Sequence, residues 1–448
     1  RWSRGLGDVY KRQSGWFQIA FWARFHQVPR NIQRQEIGRA KAIGKQRCAV
    51  SIKKFTGSFV QQEPLPAKAH ERVQSVLASA RFHRYGTQHG EQSEAAELET
   101  AFADWQGAAF CLAVTSGGQA LQIALRAVGV VPGDKVLTNA FTLAPVPGAI
   151  AAVGATSVLV ETTENLTIDL EDLDQKAAAS GAKVLLLSHM RGHIADMGRV
   201  MAVCRDRGLM LVEDCAHTMG ATFSGVRSGN HGNVACFSTQ TYKHINSGEG
   251  GFLTTDDAGI AARATMMSGS YMNYMRHGAG PDAQSYEIVR YETPNMSARM
   301  DNLRAAILIA QIGPLDTNVR RWNQRHAVLA KALAEISAVT LPANHQNVLR
   351  VGSSFQFRLP DANEDTCRAV IARAAELGVE LKWFGASEPV GFTSNHKSWR
   401  YQDAQTMPAT DRILSTLFDM RVPLTFSVED CEHIGLILQR VIEPDATP

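Results

Sequence analysis

Residues 109–128 read AFCLAVTSGGQALQIALRAV, and this stretch decides how the chain folds. Residues 109–114 are a continuously apolar strand, Thr115-Ser116-Gly117-Gly118 make a polar turn, and Leu121, Ala124, Leu125 and Val128 then follow the i, i+3, i+4, i+7 spacing of a helix face. A strand that passes through a glycine turn into a helix leaves the first N–H groups of that helix unpaired and pointing outward, which makes an anion site. Phosphate is the natural occupant.

The same alternation continues outward from this unit. Residues 135–139, 156–161, 183–189 and 209–214 read as Val- and Leu-rich strands, with helices over 141–153, 169–179 and 196–207 between them. Continuously apolar strands separated by helices predict an α/β fold with a mostly parallel sheet covered by helices. Ligands of such sheets sit at the carboxyl ends of the strands, and that rule alone selects Thr115, Ser116, Phe141, Thr142, His189, Asp214 and His217.

A strand at 252–255 and a helix at 257–267 complete this layer, and helices at 67–80 and 93–105 precede it. Residues 269–294, carrying four tyrosines, form an irregular stretch of a length that is more often functional than idle. A helical segment over 301–336, interrupted at Gly313-Pro314, leads into a smaller α+β part with strands at 353–359 and 379–384 and helices at 364–377 and 428–442. The expected organisation is a tail over 1–60, a large domain over 61–312 and a small C-terminal domain over 313–448. The opening RWSRGLGDVYKRQ, without an initiator methionine, reads as a translated cloning or sequencing linker. Residues up to about Thr56 are expected to be poorly ordered.

Composition narrows the partners. With 45% apolar and 20% charged residues and a net charge of +3 over 448 residues, the chain has no basic stripe for nucleic acid or an acidic membrane surface. No apolar run approaches the ~20 residues of a membrane span. The seven cysteines are scattered without a Cys-x-x-Cys pair, which points to a reducing, cytoplasmic setting. A small-molecule ligand is the expected partner, with no metal.

The second informative stretch is residues 212–251, VEDCAHTMGATFSGVRSGNHGNVACFSTQTYKHINSGEGG. It places Lys243 before a glycine-rich turn and Asp214 at the end of an apolar strand. A catalytic lysine needs a depressed pKa or a carbonyl that traps it as an imine, and pyridoxal 5′-phosphate supplies that carbonyl. The cofactor also needs an acid beside its ring nitrogen, a phosphate cup and a flat residue against its ring. Asp214 offers the acid; the backbone of Gly117, Gly118 and Gln119 with the Ser238 hydroxyl offers the cup; Phe141 or His217 offers the flat face. Phe141 reads equally as a core aromatic, His217 as a structural histidine, and Asp214 as a helix cap. His189 and His193 are four apart, a metal-ligand spacing on a helix, but they follow a strand and span Gly192, so His189 is taken as a loop histidine near the substrate.

These residues carry a resemblance. Glu213-Asp214-Cys215-Ala216-His217, the Cys236-Phe237-Ser238 strand end and Lys243 followed by Gly248-Glu249-Gly250-Gly251 resemble the DegT/StrS family of pyridoxal-phosphate-dependent sugar aminotransferases of fold type I. Ser116-Gly117-Gly118-Gln119-Ala120-Leu121 is similar to its phosphate turn, and Arg299-Met300 followed by Ala305-Ala306 to its Arg-Met…Ala-Ala segment. Two positions depart from the pattern: Gly118 stands where the family has threonine, and Ser297 where it has an asparagine that reaches a neighbouring subunit. The resemblance implies a homodimer that transfers an amino group from a donor, glutamate in the family, to a keto-sugar, commonly nucleotide-linked. Lys243 argues against the dehydratase branch, which carries histidine there. A lyase, a keto-cyclitol aminotransferase and a non-catalytic regulatory relative are the alternatives.

Overall fold

The computed structural model describes residues 52–444, His89 apart. The linker-like opening and Cys48 lie outside the described residues. The chain builds β1 (Phe110–Val114), β2 (Lys135–Asn139), β3 (Thr156–Val160), β4 (Val184–Ser188) and β5 (Met210–Asp214). A short hairpin of β6 (Thr222–Phe223) and β7 (Val226–Arg227) comes next, then β8 (Val234–Ser238) and β9 (Gly251–Thr255). The main sheet has the order β1-β9-β8-β5-β4-β2-β3. Neighbours from β8 to β3 pair parallel, and β9 is reversed between β1 and β8. The reversal has a local cause: the connection over 239–250 holds no crossover helix, so the chain must return antiparallel.

Both faces of this sheet are dry because side chains alternate along each strand. Leu185, Leu187, Leu211 and Phe237 pack on one side with Leu98, Phe102 and Met197, while Val184, Leu186, Val212 and Cys236 pack on the other with Leu121, Ile150 and Ile260. The covering helices start on side-chain caps: Ser116, Asp169, Asp196, Asp257 and Asp301 each accept a backbone N–H from the first turn. Each such cap is worth about 1 kcal/mol. The helix expected over 141–153 begins later, at Pro145–Ala152, with the proline in its first turn.

Two of the four tyrosines of 269–294, Tyr274 and Tyr286, cover the sheet-packing helix Ala258–Ser268. Tyr274 and Tyr286 stack with centroids 4.6 Å apart and pack on Ala262 and Met266. Beneath them lies a buried ion cluster. Arg84 grips Glu99 through two bonds of 2.6 and 2.7 Å, His277 approaches Glu99 at 3.2 Å, and Glu99 Oε1 accepts the Ala113 N–H of β1 at 2.8 Å. Burial alone would raise the Glu99 carboxyl, but Arg84 and His277 hold it down to about 2. Its contribution to stability is therefore full above about pH 4.5 and drains away as the pH falls toward 2. Glu99→Ala leaves Arg84 buried and unpaired, and denaturant titration is expected to show a loss of about 3–5 kcal/mol.

After the helices Asn302–Ile312 and Leu315–Ala334, β10 (Val348–Leu349) joins the β6–β7 hairpin. The C-terminal part is a three-stranded antiparallel sheet of β11 (Ser354–Arg358), β12 (Lys382–Trp383) and β13 (Leu417–Arg421), with β13 in the centre. The helices Glu364–Glu376 and Val428–Ile442 share its core. The expected tail over 1–60 includes two described aromatics that pack on the C-terminal part. Phe55 and Phe59 are buried, with ring centroids 5.1 and 4.9 Å from Phe426, so the aromatic side chains of this segment belong to the C-terminal core. Among the described residues, no helix is long and apolar enough to cross a membrane.

Candidate active site

Strand register brings the site together. Ser188 lies opposite Asp214, Asp214 opposite Cys236, Ser238 opposite Gly251, and Gly251 opposite Val114, which is followed by the glycine turn. A Cβ on Gly251 would come within 2.6 Å of the Gly117 nitrogen and 2.7 Å of the Phe237 carbonyl oxygen, so β9 slides under the turn only as glycine. Gly117 is equally constrained, its absent Cβ falling 2.9 Å from Ser238 Cβ. The Gly117 and Gly118 N–H groups at the helix start and the Ser238 hydroxyl are thereby gathered into one cradle. The Gln119 N–H does not fit the expectation, because it donates to Ser116 Oγ at 3.1 Å as part of the helix cap.

Asp214 ends β5 with its carboxylate held from two sides. Ser188 Oγ donates to Oδ2 at 2.7 Å, and the Ala216 N–H donates to Oδ1 at 3.2 Å. The latter is a local turn rather than a helix cap. Three residues on, His217 Nδ1 accepts the Arg191 N–H at 3.3 Å, while Nε2 lies 2.9 Å from Lys243 Nζ. Burial and then Lys243 and Arg191 push the imidazole well below its usual range, so the ring is neutral. With Nδ1 accepting, the ring's one proton sits on Nε2 and faces the lysine nitrogen, which accepts it when the amine is deprotonated.

Lys243 is placed by a tight excursion between β8 and β9. Thr239 and Thr241 donate to the carbonyls of Gly250 and Gly248, and the Lys243 N–H to that of Gln240, at 2.8–3.1 Å. Gly248 and Gly250 have φ of 84° and 144°, conformations that only glycine adopts without strain. Burial, followed by the Arg191 guanidinium, drives the Lys243 ammonium down to about 7, against the opposing pull of Asp214. Half of these side chains are therefore reactive amines near neutral pH.

The remaining expectations divide. Phe141 is buried in an apolar cluster, edge-on to Phe384 at 5.1 Å, in keeping with the core reading that the sequence left open beside the cofactor one. His189, expected near the substrate, is buried, with Nε2 3.0 Å from Glu213 Oε2. His189, Glu213 and Cys215 cluster closely enough for a metal, but Glu213 already accepts the N–H groups of Gly229, His231 and Gly232.

The cleft in front of Lys243 has a wall that was not anticipated. Arg191, Lys382 and Arg421 line it beside Lys243 and His217. Arg191, in a left-handed conformation at φ 55°, reaches the buried Asp419 of β13 at 2.9 Å, and Lys382 reaches the same oxygen at 3.5 Å. Arg421 lies over the Tyr242 ring, 3.5 Å from its centroid. A signal for this wall was present in Leu417-Phe418-Asp419-Met420-Arg421, where an acid and a base interrupt a strand at alternate positions.

A mostly parallel α/β sheet that presents a glycine-lined cradle, a carboxylate, a neutral imidazole and a buried lysine at one edge defines a fold type I aminotransferase. The chain belongs to the DegT/DnrJ/EryC1/StrS aminotransferase family, whose pattern matches residues 66–439. It is 31% identical over 318 residues to the L-glutamine:scyllo-inosose aminotransferase of Streptomyces griseus, spanning 69% of this chain and 74% of that protein. It is 32% identical over 290 residues to the GDP-perosamine synthase of Caulobacter vibrioides, spanning 64% of this chain and 74% of that protein. Among solved structures, DesV of S. venezuelae superposes with a TM-score of 0.70 at 26% identity, covering 84% of this chain and 95% of the other.

Proposed function

We propose that this aminotransferase holds pyridoxal 5′-phosphate and moves an amino group from glutamate to a keto-sugar, most naturally a nucleotide-linked one. The observation that carries the reading is the Lys243 amine, 2.9 Å from a neutral His217 that follows the Asp214 strand end by three residues. The residues fit the cofactor: Gly117, Gly118 and Ser238 suit its phosphate, Asp214 its ring nitrogen, His217 its ring surroundings and Lys243 its carbonyl. Once bound, the cofactor supplies an electron sink for the substrate Cα. With the cofactor in place, Lys243 Nζ would take up the donor Cα proton and later give one to the acceptor carbon. Asp214 keeps the ring nitrogen protonated by placing a negative charge beside it, and Ser188 fixes its orientation. GDP-perosamine synthase among the relatives favours a nucleotide sugar, whereas the scyllo-inosose enzyme favours a keto-cyclitol as the second reading.

Purified protein supplied with the cofactor is expected to develop a visible absorbance band that glutamate abolishes and a keto-sugar restores. A colourless protein that takes up no cofactor sinks this reading; a band that no amino donor changes favours a lyase. Because only the free amine attacks a carbonyl, the rate at which the band forms should rise with pH through about 7 and level off above it. A profile centred near the ordinary lysine value of 10.5 would contradict the assigned environment. Gly251→Ala forces the turn backbone to move, and fluorescence titration should show cofactor affinity lowered roughly tenfold or more, the equivalent of an overpacked core.

The same reading takes the protein as a cytoplasmic homodimer, with residues 61–312 as the large domain and 313–448 as the small one. Exposed Tyr271, Met272, Met275, Ile288 and Tyr291 offer the apolar surface for a second copy. Cys111, Cys204, Cys215, Cys236, Cys367 and Cys431 are buried free thiols, in keeping with a reducing compartment.

A further inference from the structure

The cationic wall of the cleft exceeds what the chain itself neutralises. Three cations, Arg191, Lys382 and Arg421, face one buried carboxylate, Asp419, leaving an excess of two positive charges. Asp419 is also committed elsewhere, since Oδ1 accepts Gln356 Nε2 at 2.8 Å. Arg191 Nε, Lys382 Nζ and Arg421 Nη1 are each buried without a hydrogen-bond partner among the described residues. Buried guanidinium and ammonium groups in this state are costly unless a ligand pairs with them. Burial and the neighbouring cations already push Lys382 down to about 8 against the pull of Asp419.

This argument rests on the aminotransferase reading of the same cleft. In a two-step amino transfer, donor and acceptor occupy one space in turn beside Lys243. An amino acid donor brings its own carboxylate to the wall. A neutral sugar ring that replaced it would leave the same cations unpaired in the second half of the cycle. We propose that the acceptor carries a carboxylate on its own ring, close to the carbonyl that is aminated, and that Arg191, Lys382 and Arg421 bind it. Planar guanidinium groups match a carboxylate in paired hydrogen bonds. The anion belongs to the ring rather than to a distant diphosphate, because the wall shares the cleft with Lys243 and His217.

The test uses the cofactor-loaded protein run in reverse, with an amino-uronic acid and the matching amino sugar whose carboxylate is reduced to a hydroxymethyl group. Loss of the visible band reports amine transfer to the cofactor. The uronic acid is expected to be preferred on the order of a hundredfold, the effect of pairing a buried charge. Lys382→Met and Arg421→Gln should each erase most of that preference while leaving the cofactor band in place. D-Glucuronate should compete, and D-glucose, inorganic phosphate and uridine diphosphate should not compete at these residues. Equal use of the neutral amino sugar, a preference that survives both substitutions, or competition by phosphate or uridine diphosphate that the substitutions relieve, overturns the proposal. Glutamate distinguishes the two levels: if glutamate removes the band but the uronic acid shows no advantage, only the acceptor assignment fails. If no amine of any kind removes it, the aminotransferase reading fails as well.

Discussion

Lys243→Ala is expected to yield a folded protein without the visible band and with turnover lowered at least about 10⁴-fold, the upper range for a positioned general base. Two losses combine in this variant: the amine that engages the cofactor carbonyl and the amine that carries the substrate proton. Stability should change little or rise, because the charged form of Lys243 is already disfavoured by burial and by Arg191. Thermal melting thus separates chemistry from misfolding. A small primary amine added to the variant should restore part of the proton transfer but not the original band. Turnover within tenfold of wild type would remove Lys243 from the reaction. A variant that melts far below wild type would instead show that its contact with His217 is structural.

The large sheet and the lysine segment were legible because their constraints are local. Apolar runs of strand length between helical periods specify a parallel sheet, and the glycines at 117, 248, 250 and 251 mark backbone that must pass close to other backbone. Phe141 and His189 show where that reasoning stops. The strand-end rule fixes which residues reach the edge of the sheet, but side chains alternate in direction, and one step decides between cleft and core. Asp214 points to Ser188, while its neighbour Glu213 points the other way and takes His189 with it. The cationic wall was hidden for another reason. Its members come from the turn after β4, from β12 and from β13, and each alone looks like an ordinary surface charge. Only the packing of the C-terminal sheet against the turn at Arg191 makes them neighbours of Lys243.

Asp214→Ala is expected to retain the band but to lower turnover by about 10³-fold, a loss comparable to removing a key electrostatic group. The carboxylate stands where strand β5 ends, and neither of its two hydrogen bonds comes from a cation: a hydroxyl from Ser188 and an N–H from Ala216 leave its negative charge uncompensated. That charge is available to a protonated ring nitrogen, which is the state that draws electrons from the substrate. Asp214→Asn keeps the shape and both acceptor positions on a single oxygen at most, yet supplies no charge, so it should fall nearly as far as alanine. Asp214→Glu keeps the charge but moves it, and should retain more activity than either. Ser188→Ala frees the carboxylate to rotate without neutralising it, and a decline of about tenfold is expected, the loss of one charge-assisted hydrogen bond. Steady-state turnover of the four variants orders charge above shape if Asp214 acts through the ring nitrogen. If asparagine matches wild type, the residue serves only to hold the end of β5, and the electron sink must be set by another group.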